Sequence, residues 1–229
     1  MRIVCVTSPA SEQVAAFSVA HGVDPRRALF REGWVIVHLL SARLDDGEIV
    51  ITALVRPRVA TDRPPRRRRR NLHRDLDVDK TELPIRRQRI AAYALVTSRE
   101  GLLGTQCSDR TAVPGIWQLP GGGVDEGETP AEAVIREVSE ETAQDVRIDR
   151  LLDLQSDHWI GRAPDGTIED FHALRLFYAA TCLEPTTPRV LDVGGTTESA
   201  QWVPVGRWQQ LQWTSGAHMM LRRHLHQLV

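Results

Sequence analysis

Along this chain the apolar positions repeat in two rhythms, and the changes between them mark the predicted elements. Residues 2–6 (RIVCV) predict a short strand and 11–21 (SEQVAAFSVAH) a modest helix. Two apolar runs follow, 33–42 and 48–55, separated by LDDG. Asp46-Gly47 between β-rich runs signals a hairpin. From Arg56 to about Pro84 the pattern collapses into Pro, Arg and Asp, the composition of a linker or solvated loop. A strand is predicted again over 90–97, with GLLGTQ as its hairpin partner across Glu100-Gly101. Residues 113–128 form a loop rich in Gly and Pro, and 130–142 has a strong helical period. Strands are predicted at 146–154 and 171–182 around a polar loop over 155–170, then at 200–203, with helical pieces over 206–213 and 216–228. Strands interleaved with two main helices predict α/β layers.

Composition narrows the picture. A chain of 229 residues is long enough to bury a core without staples. No apolar stretch approaches the ~18 residues of a membrane span. The apolar part of MRIVCVTSPA is too short for a secretory signal. Cys5, Cys107 and Cys182 are odd in number, widely spaced and free of any C-x-x-C pattern. That argues against a disulfide framework or a cysteine zinc site and fits a reducing cytoplasm.

The formal charge of -1 hides an asymmetry. Residues 1–90 carry 18 Lys and Arg against 11 Asp and Glu, whereas 91–229 carry 11 against 19. The basic excess includes the run Arg66–Arg70, which invites a nucleic-acid reading. Interleaved aromatics are absent, however, no helix-turn-helix or RNA-binding signature is present, and Asp75, Asp77 and Asp79 follow at once. Nucleic acid is therefore not the expected partner.

Candidate chemistry concentrates between Gly122 and Ala143 (GGVDEGETPAEAVIREVSEETA). Thr129 caps the helix, Pro130 takes its first position and Glu132 completes a capping box. Ala131, Val134, Ile135 and Val138 share a stripe that must pack on a core. Glu137, Glu140 and Glu141 fall on the adjoining flank, with Glu141 nearest the buried edge; Arg136 and Glu132 point farther out and are spaced to pair. At that spacing each close carboxylate pair repels by about 3 kcal/mol in a medium of dielectric near 20. Something positive must offset this. Hard oxygen donors with no histidine among them favour Mg²⁺ or Mn²⁺. The turn Pro120-Gly121-Gly122-Gly123 lets backbone groups approach such an ion, or a phosphate, closely.

Gly122, Glu128, Arg136-Glu137, Val138 and Glu140-Glu141 stand at the spacings of the Nudix box, and residues 89–229 resemble the Nudix hydrolase family. Ala143 replaces the last Gly of the signature and Gln144 its last apolar residue. The resemblance implies a Nudix-like α/β/α sandwich with a mixed sheet, preceded by an N-terminal α+β extension over 1–58 and a linker over 59–88. It implies metal-dependent hydrolysis of a diphosphate bond in a nucleoside diphosphate derivative. Glu137, Glu140 and Glu141 are then the metal ligands, helped by the Gly121 backbone. One of them, with Glu137 the first candidate, would also orient or deprotonate water, and Arg136 would brace the glutamates with Glu128 as its partner. Some relatives add an acidic ligand from a later loop, for which Glu198 is the first candidate and Asp170 the second.

Gly122 and Gly123 would face the substrate, and Trp117, Trp159 and Phe171 could stack on a base, since each borders a predicted loop near the helix. Trp202, Trp208 and Trp213 are read as core, and His158 and His172 as structural. The front extension fits a separate small domain or an extra sheet joining two copies. The rival function is a non-catalytic nucleotide sensor or nucleic-acid binder using Arg66–Arg70.

Overall fold

The computed structural model describes residues 1–65, 71–72, 83–163 and 166–229. The Arg66–Arg70 run and the acidic stretch after it lie outside the described residues. The chain divides into two compact units, residues 1–90 with 154–175, and residues 91–153 with 176–229.

In the first unit, β1 (Arg2–Val6), β2 (Gln13–Ser18), α1 (Pro25–Arg31), β3 (Trp34–Asp45), β4 (Glu48–Pro57) and the short β5 (Asn71–Leu72) follow in order. The first four strands form a sheet in the order β2-β1-β4-β3, with β1 parallel to β4. Its core is Ile3, Cys5, Leu39, Val50, Ile51, Ala53 and Val55, and α1 adds Leu29. The hairpin expected at Asp46-Gly47 closes β3 on β4 through these two residues alone, both taking positive φ as a primed turn requires.

The helix expected over 11–21 is a strand. Ala15, Phe17 and Val19 turn inward while Val14, Ala16 and Ser18 face out, and Cys5 pairs with Ala15 and Ile3 with Phe17. Residue types that tolerate a helix were claimed by an open strand edge offering backbone partners. The helix of this region is instead α1. There the Asp24 carboxylate accepts from the Arg26 and Arg27 amides and Pro25 holds the first turn, a start signal within Asp24-Pro25.

The second unit takes in β6 (Ile85–Ser98) from Ala91 onward. After it come β7 (Gly101–Cys107), β8 (Trp117–Gln118), β9 (Gly121–Gly123), α2 (Pro130–Thr142), β10 (Arg147–Arg162), β11 (Ile168–Thr181), β12 (Thr197–Val203) and α3 (Ser215–His224). The strand order is β12-β7-β6-β11-β10, with β8 on β7 and β9 on β6. Consecutive residues of the central strands are buried, among them Ala94, Leu95 and Val96, Leu102 and Leu103, and Leu176, Phe177 and Tyr178. Burial on both parities means that both faces of the sheet are covered. On one face Leu95, Leu102 and Phe177 meet Trp208, Trp213 and the apolar side of α3. This is the α/β layering expected. The predicted 206–213 helix is a 3-10 turn over Val205–Gln210. Trp202 is only half-buried and donates its indole N–H to the Thr186 carbonyl, so it is not a core residue.

The polar loop predicted over 155–170 is replaced by the continuation of β10 and the start of β11, whose stretch 154–175 belongs to the first unit. Its polar side chains satisfy one another: Ser156 bonds His172, His158 bonds Asp170 and Asp157 pairs with Arg175. Hydropathy reads such a stretch as loop, yet polar groups with partners are tolerated within a sheet.

At the end of α2, Ala143 adopts the left-handed conformation (φ 53, ψ 36) that the missing glycine would take without strain. Gln144, in the expected apolar position, is buried, with its amide group bonded to Thr142, Ala143 and Thr186. The signature's departure therefore preserves the turn at a cost in strain. Ala143→Gly is expected to raise stability by about 1 kcal/mol, or roughly 2–4 °C in Tm, in thermal and denaturant unfolding.

Candidate active site

The acidic ridge stands on α2. Thr129 accepts the Glu132 amide, and the Glu132 carboxylate accepts from the Thr129 amide and hydroxyl, closing the capping box. That occupies Glu132, so the expected Glu132–Arg136 pair does not form. The buried stripe is Pro130, Ala133, Val134, Val138, Glu141 and Thr142. Ile135, expected within it, is 43% exposed, because the helix is rolled to bring Glu141 into the packed side. Beyond the helix, Arg189 N donates to the Thr142 carbonyl, and Leu191 N and Asp192 N donate to the Glu140 carbonyl. The last turn thereby finds partners for carbonyls it cannot satisfy itself.

Arg136 is the hub. Its Nε and Nη2 grip the two oxygens of Glu128 at 3.2 and 2.7 Å, a bidentate pair. Nη2 also donates to the Gly123 carbonyl at 3.0 Å. Nη1 donates to Glu137 Oε1 at 3.0 Å and Glu140 Oε2 at 3.2 Å. Asp125, which the sequence reading did not single out, approaches Nη2 to 3.5 Å, and its amide donates to Glu128 at 2.6 Å. The hydrogen bonds from Arg136 hold the Glu128 carboxyl below its ordinary range. One guanidinium thus ties the loop before α2 to two carboxylates on the helix.

Glu141 is placed differently. Only 5% exposed, it accepts from the Gly121 amide at 2.9 Å and from the Thr197 hydroxyl at 2.5 Å. Among the described residues no cation pairs with it. Burial pushes its pKa up to about 7; the two hydrogen bonds oppose the rise, and the charges of Glu137 and Glu140 add to it. Glu140 and Glu141 also sit in the last turn of α2, which carries no basic residue, where the helix dipole disfavours anions. Desolvation, like-charge crowding and dipole all act against these carboxylates. Hard oxygen donors with surplus negative charge are the donor set of Mg²⁺ or Mn²⁺.

The glycine turn is fitted to this ridge. Pairing of β9 with β6 sets Gly121 opposite Tyr93 and Gly122 opposite Ala92. A Cβ at Gly122 would lie 2.4 Å from Glu137 Oε1, so only glycine lets the Glu137 carboxylate rest over this backbone. Gly121 faces the ridge through its amide, and Gly123 through its carbonyl.

Glu198 is exposed at a register shift of β12, and the neighbouring Thr197 is the residue that reaches Glu141. Thr197 was missed because nothing in its spacing, 56 residues from Glu141, links the two. Trp117 is half-buried, its ring 6.1 Å from that of Trp213 and packed against the α3 core. Trp159 and Phe171 belong to the first unit, where their rings pack together at 4.7 Å beneath the Arg175 guanidinium. The loop that both were expected to border is replaced by β10 and β11. Asp170, His158 and His172 lie in the first unit as well.

A family model described as NUDIX domain matches residues 87–223. The chain is 27% identical over 121 residues to Nudix hydrolase 2 of Arabidopsis thaliana, covering 53% of this chain and 39% of that protein. It is 32% identical over 117 residues to Nudix hydrolase 10 of the same plant, covering 51% and 37%. To the nucleoside triphosphatase NudI of an Enterobacter strain it is 35% identical over 79 residues, covering 34% and 56%. The matched region thus spans less than two fifths of the plant proteins.

The raised pKa of Glu141 has a consequence for stability. The unfolded chain releases this proton near its ordinary 4.5 and the folded chain near 7. Between these values the folded state binds more protons, so stability falls as pH rises, by about 3 kcal/mol at most. With chelator present, Glu141→Gln is expected to stabilise the protein at about pH 8 by about 1–3 kcal/mol. The same substitution should change little near pH 4.5; denaturant unfolding at the two pH values measures both.

Proposed function

Because the chain belongs to the NUDIX domain family, we propose that it hydrolyses a diphosphate bond in a nucleoside diphosphate derivative, with Mg²⁺ or Mn²⁺ held by Glu137, Glu140 and Glu141. The observation that carries this reading is the buried Glu141 carboxylate, without a cationic partner among the described residues, beside two further carboxylates that share a single guanidinium. Bound there, the cation would screen the diphosphate and lower the pKa of a water.

The chain's own residues supply the positioning. Glu128 fixes Arg136, and Arg136 in turn holds one oxygen each of Glu137 and Glu140. One of the three glutamates would orient water or take its proton, and the seat of Glu137 over Gly122 supports that residue first. Gly121 and Thr197 each hold one oxygen of the Glu141 carboxylate. Thr197 also lines an open groove of about 650 Å³ whose walls include Arg110, Arg189 and Glu198. The two arginines of that groove suit the phosphates of a nucleotide. In phosphoryl chemistry such positioning and charge stabilisation account for most of the catalysis.

The test is a screen of nucleoside diphosphate sugars, ADP-ribose and nucleoside triphosphates with Mg²⁺ or Mn²⁺, scoring release of phosphate or nucleoside monophosphate. Turnover is expected on at least one of these and is expected to fall at least 100-fold in Glu137→Gln, with an unchanged circular dichroism spectrum. Wild-type rates in that variant, or calorimetry showing no uptake of either ion, would refute the reading.

A further inference from the structure

We propose that His21, His158 and Asp170 form a second cation site, built from two imidazole nitrogens and a carboxylate oxygen and suited to a divalent transition ion of the zinc class. All three belong to the first unit and none takes part in the acidic ridge. Each offers one ligand atom, and the three atoms lie within 4.8 Å of one another. His158 Nε2 is 2.5 Å from Asp170 Oδ1, and His21 Nε2 is 3.3 Å from the same oxygen. His158 holds that oxygen by a hydrogen bond. Among the described residues the buried His21 Nε2 has no hydrogen-bond partner, its approach to Asp170 being an ion-pair contact only. A ring nitrogen taken from water and given no bond is costly, and an ion would make use of it.

The surroundings hold the ligands in place. His21 is carried into position by Gly22, which has φ +72 and whose Cβ would lie 2.8 Å from the His158 ring. Only glycine lets this corner close on His158. His172 has both ring nitrogens engaged, Nδ1 accepting from the Gly22 amide at 3.1 Å and Nε2 bonded to Ser156 Oγ at 2.8 Å. It is therefore a positioning residue rather than a ligand, pinning the His21-Gly22 corner against β11 from a fully buried place. The His21 ring stands nearly perpendicular to both the His158 and the His172 rings, at 87° and 83°.

Donor chemistry selects the ion. Two imidazoles with one carboxylate suit zinc and its neighbours in the transition series, whereas Mg²⁺ and Ca²⁺ prefer oxygen alone. Three protein ligands leave a position for water or a small anion, as in open rather than purely structural zinc sites. Loading would replace the hydrogen bond between His158 and Asp170 with ligation of both groups to the ion.

The test uses the full chain with Co²⁺ and Zn²⁺ as probes. Cobalt is expected to bind with the visible bands of a nitrogen-ligated ion, and zinc X-ray absorption to show imidazole scattering. Both signals should persist in Glu137→Gln, which damages the acidic ridge, and uptake should weaken at least 100-fold in His21→Gln and in Asp170→Asn. Asp170→Asn is isosteric and His21 is part-exposed, so both variants can be checked for native unfolding behaviour in chelator. The proposal is overturned if wild type shows no nitrogen-ligated signal, if the signal survives His21→Gln, or if it disappears only in Glu137→Gln. Failure here leaves the hydrolase reading standing, because the two sites share no residue.

Discussion

The second unit is organised around an electrostatic conflict. Glu137, Glu140 and Glu141 crowd one flank of α2, two of them at the end of the helix that repels anions. Arg136 relieves only part of the repulsion, because the bidentate grip of Glu128 already draws on its charge. Among the described residues Glu141 has no cation to relieve it, and it is buried besides. A fold selected for stability alone would place neither a buried carboxylate nor an unbalanced acidic turn here. Their presence is intelligible if the fold is built to receive positive charge from outside the chain.

Rigidity is what makes the conflict useful. The capping box starts α2, and backbone donors from Arg189, Leu191 and Asp192 close its far end. Pairing of β9 with β6 fixes the glycine turn under Glu137. Carboxylates that would splay apart in solution are thus held close by neighbours that are themselves anchored. The energy for this comes from the apolar burial on both faces of the sheet, including the Trp208 and Trp213 cluster around α3.

The first unit meets a related problem by other means. Its strands between residues 154 and 175 carry Ser156, Asp157, His158, Asp170, His172 and Arg175, which a hydropathy profile reads as exposed. Partnering of these groups across β10 and β11 makes their place in a sheet tolerable. The same effect hid the extent of both strands and set Trp159 and Phe171 within β10 and β11 rather than beside a loop. Strand edges similarly converted 11–21 from helix to β2.

The order of residues alone determined the α2 signature: its cap, the spacing of Glu128, Arg136 and the three glutamates, and the glycine turn before them. These features are local, and helical geometry projects them onto one surface whatever surrounds it. The hairpin at Asp46-Gly47 was equally legible, for the same reason. Tertiary structure decided the rest. It rolled α2 so that Glu141 rather than Ile135 entered the packed side, and brought Thr197 to it from 56 residues away. It gave Glu132 to the cap instead of Arg136 and set His21 beside His158 and Asp170. Such contacts depend on which strand lies next to which, and no periodicity within a single segment carries that information.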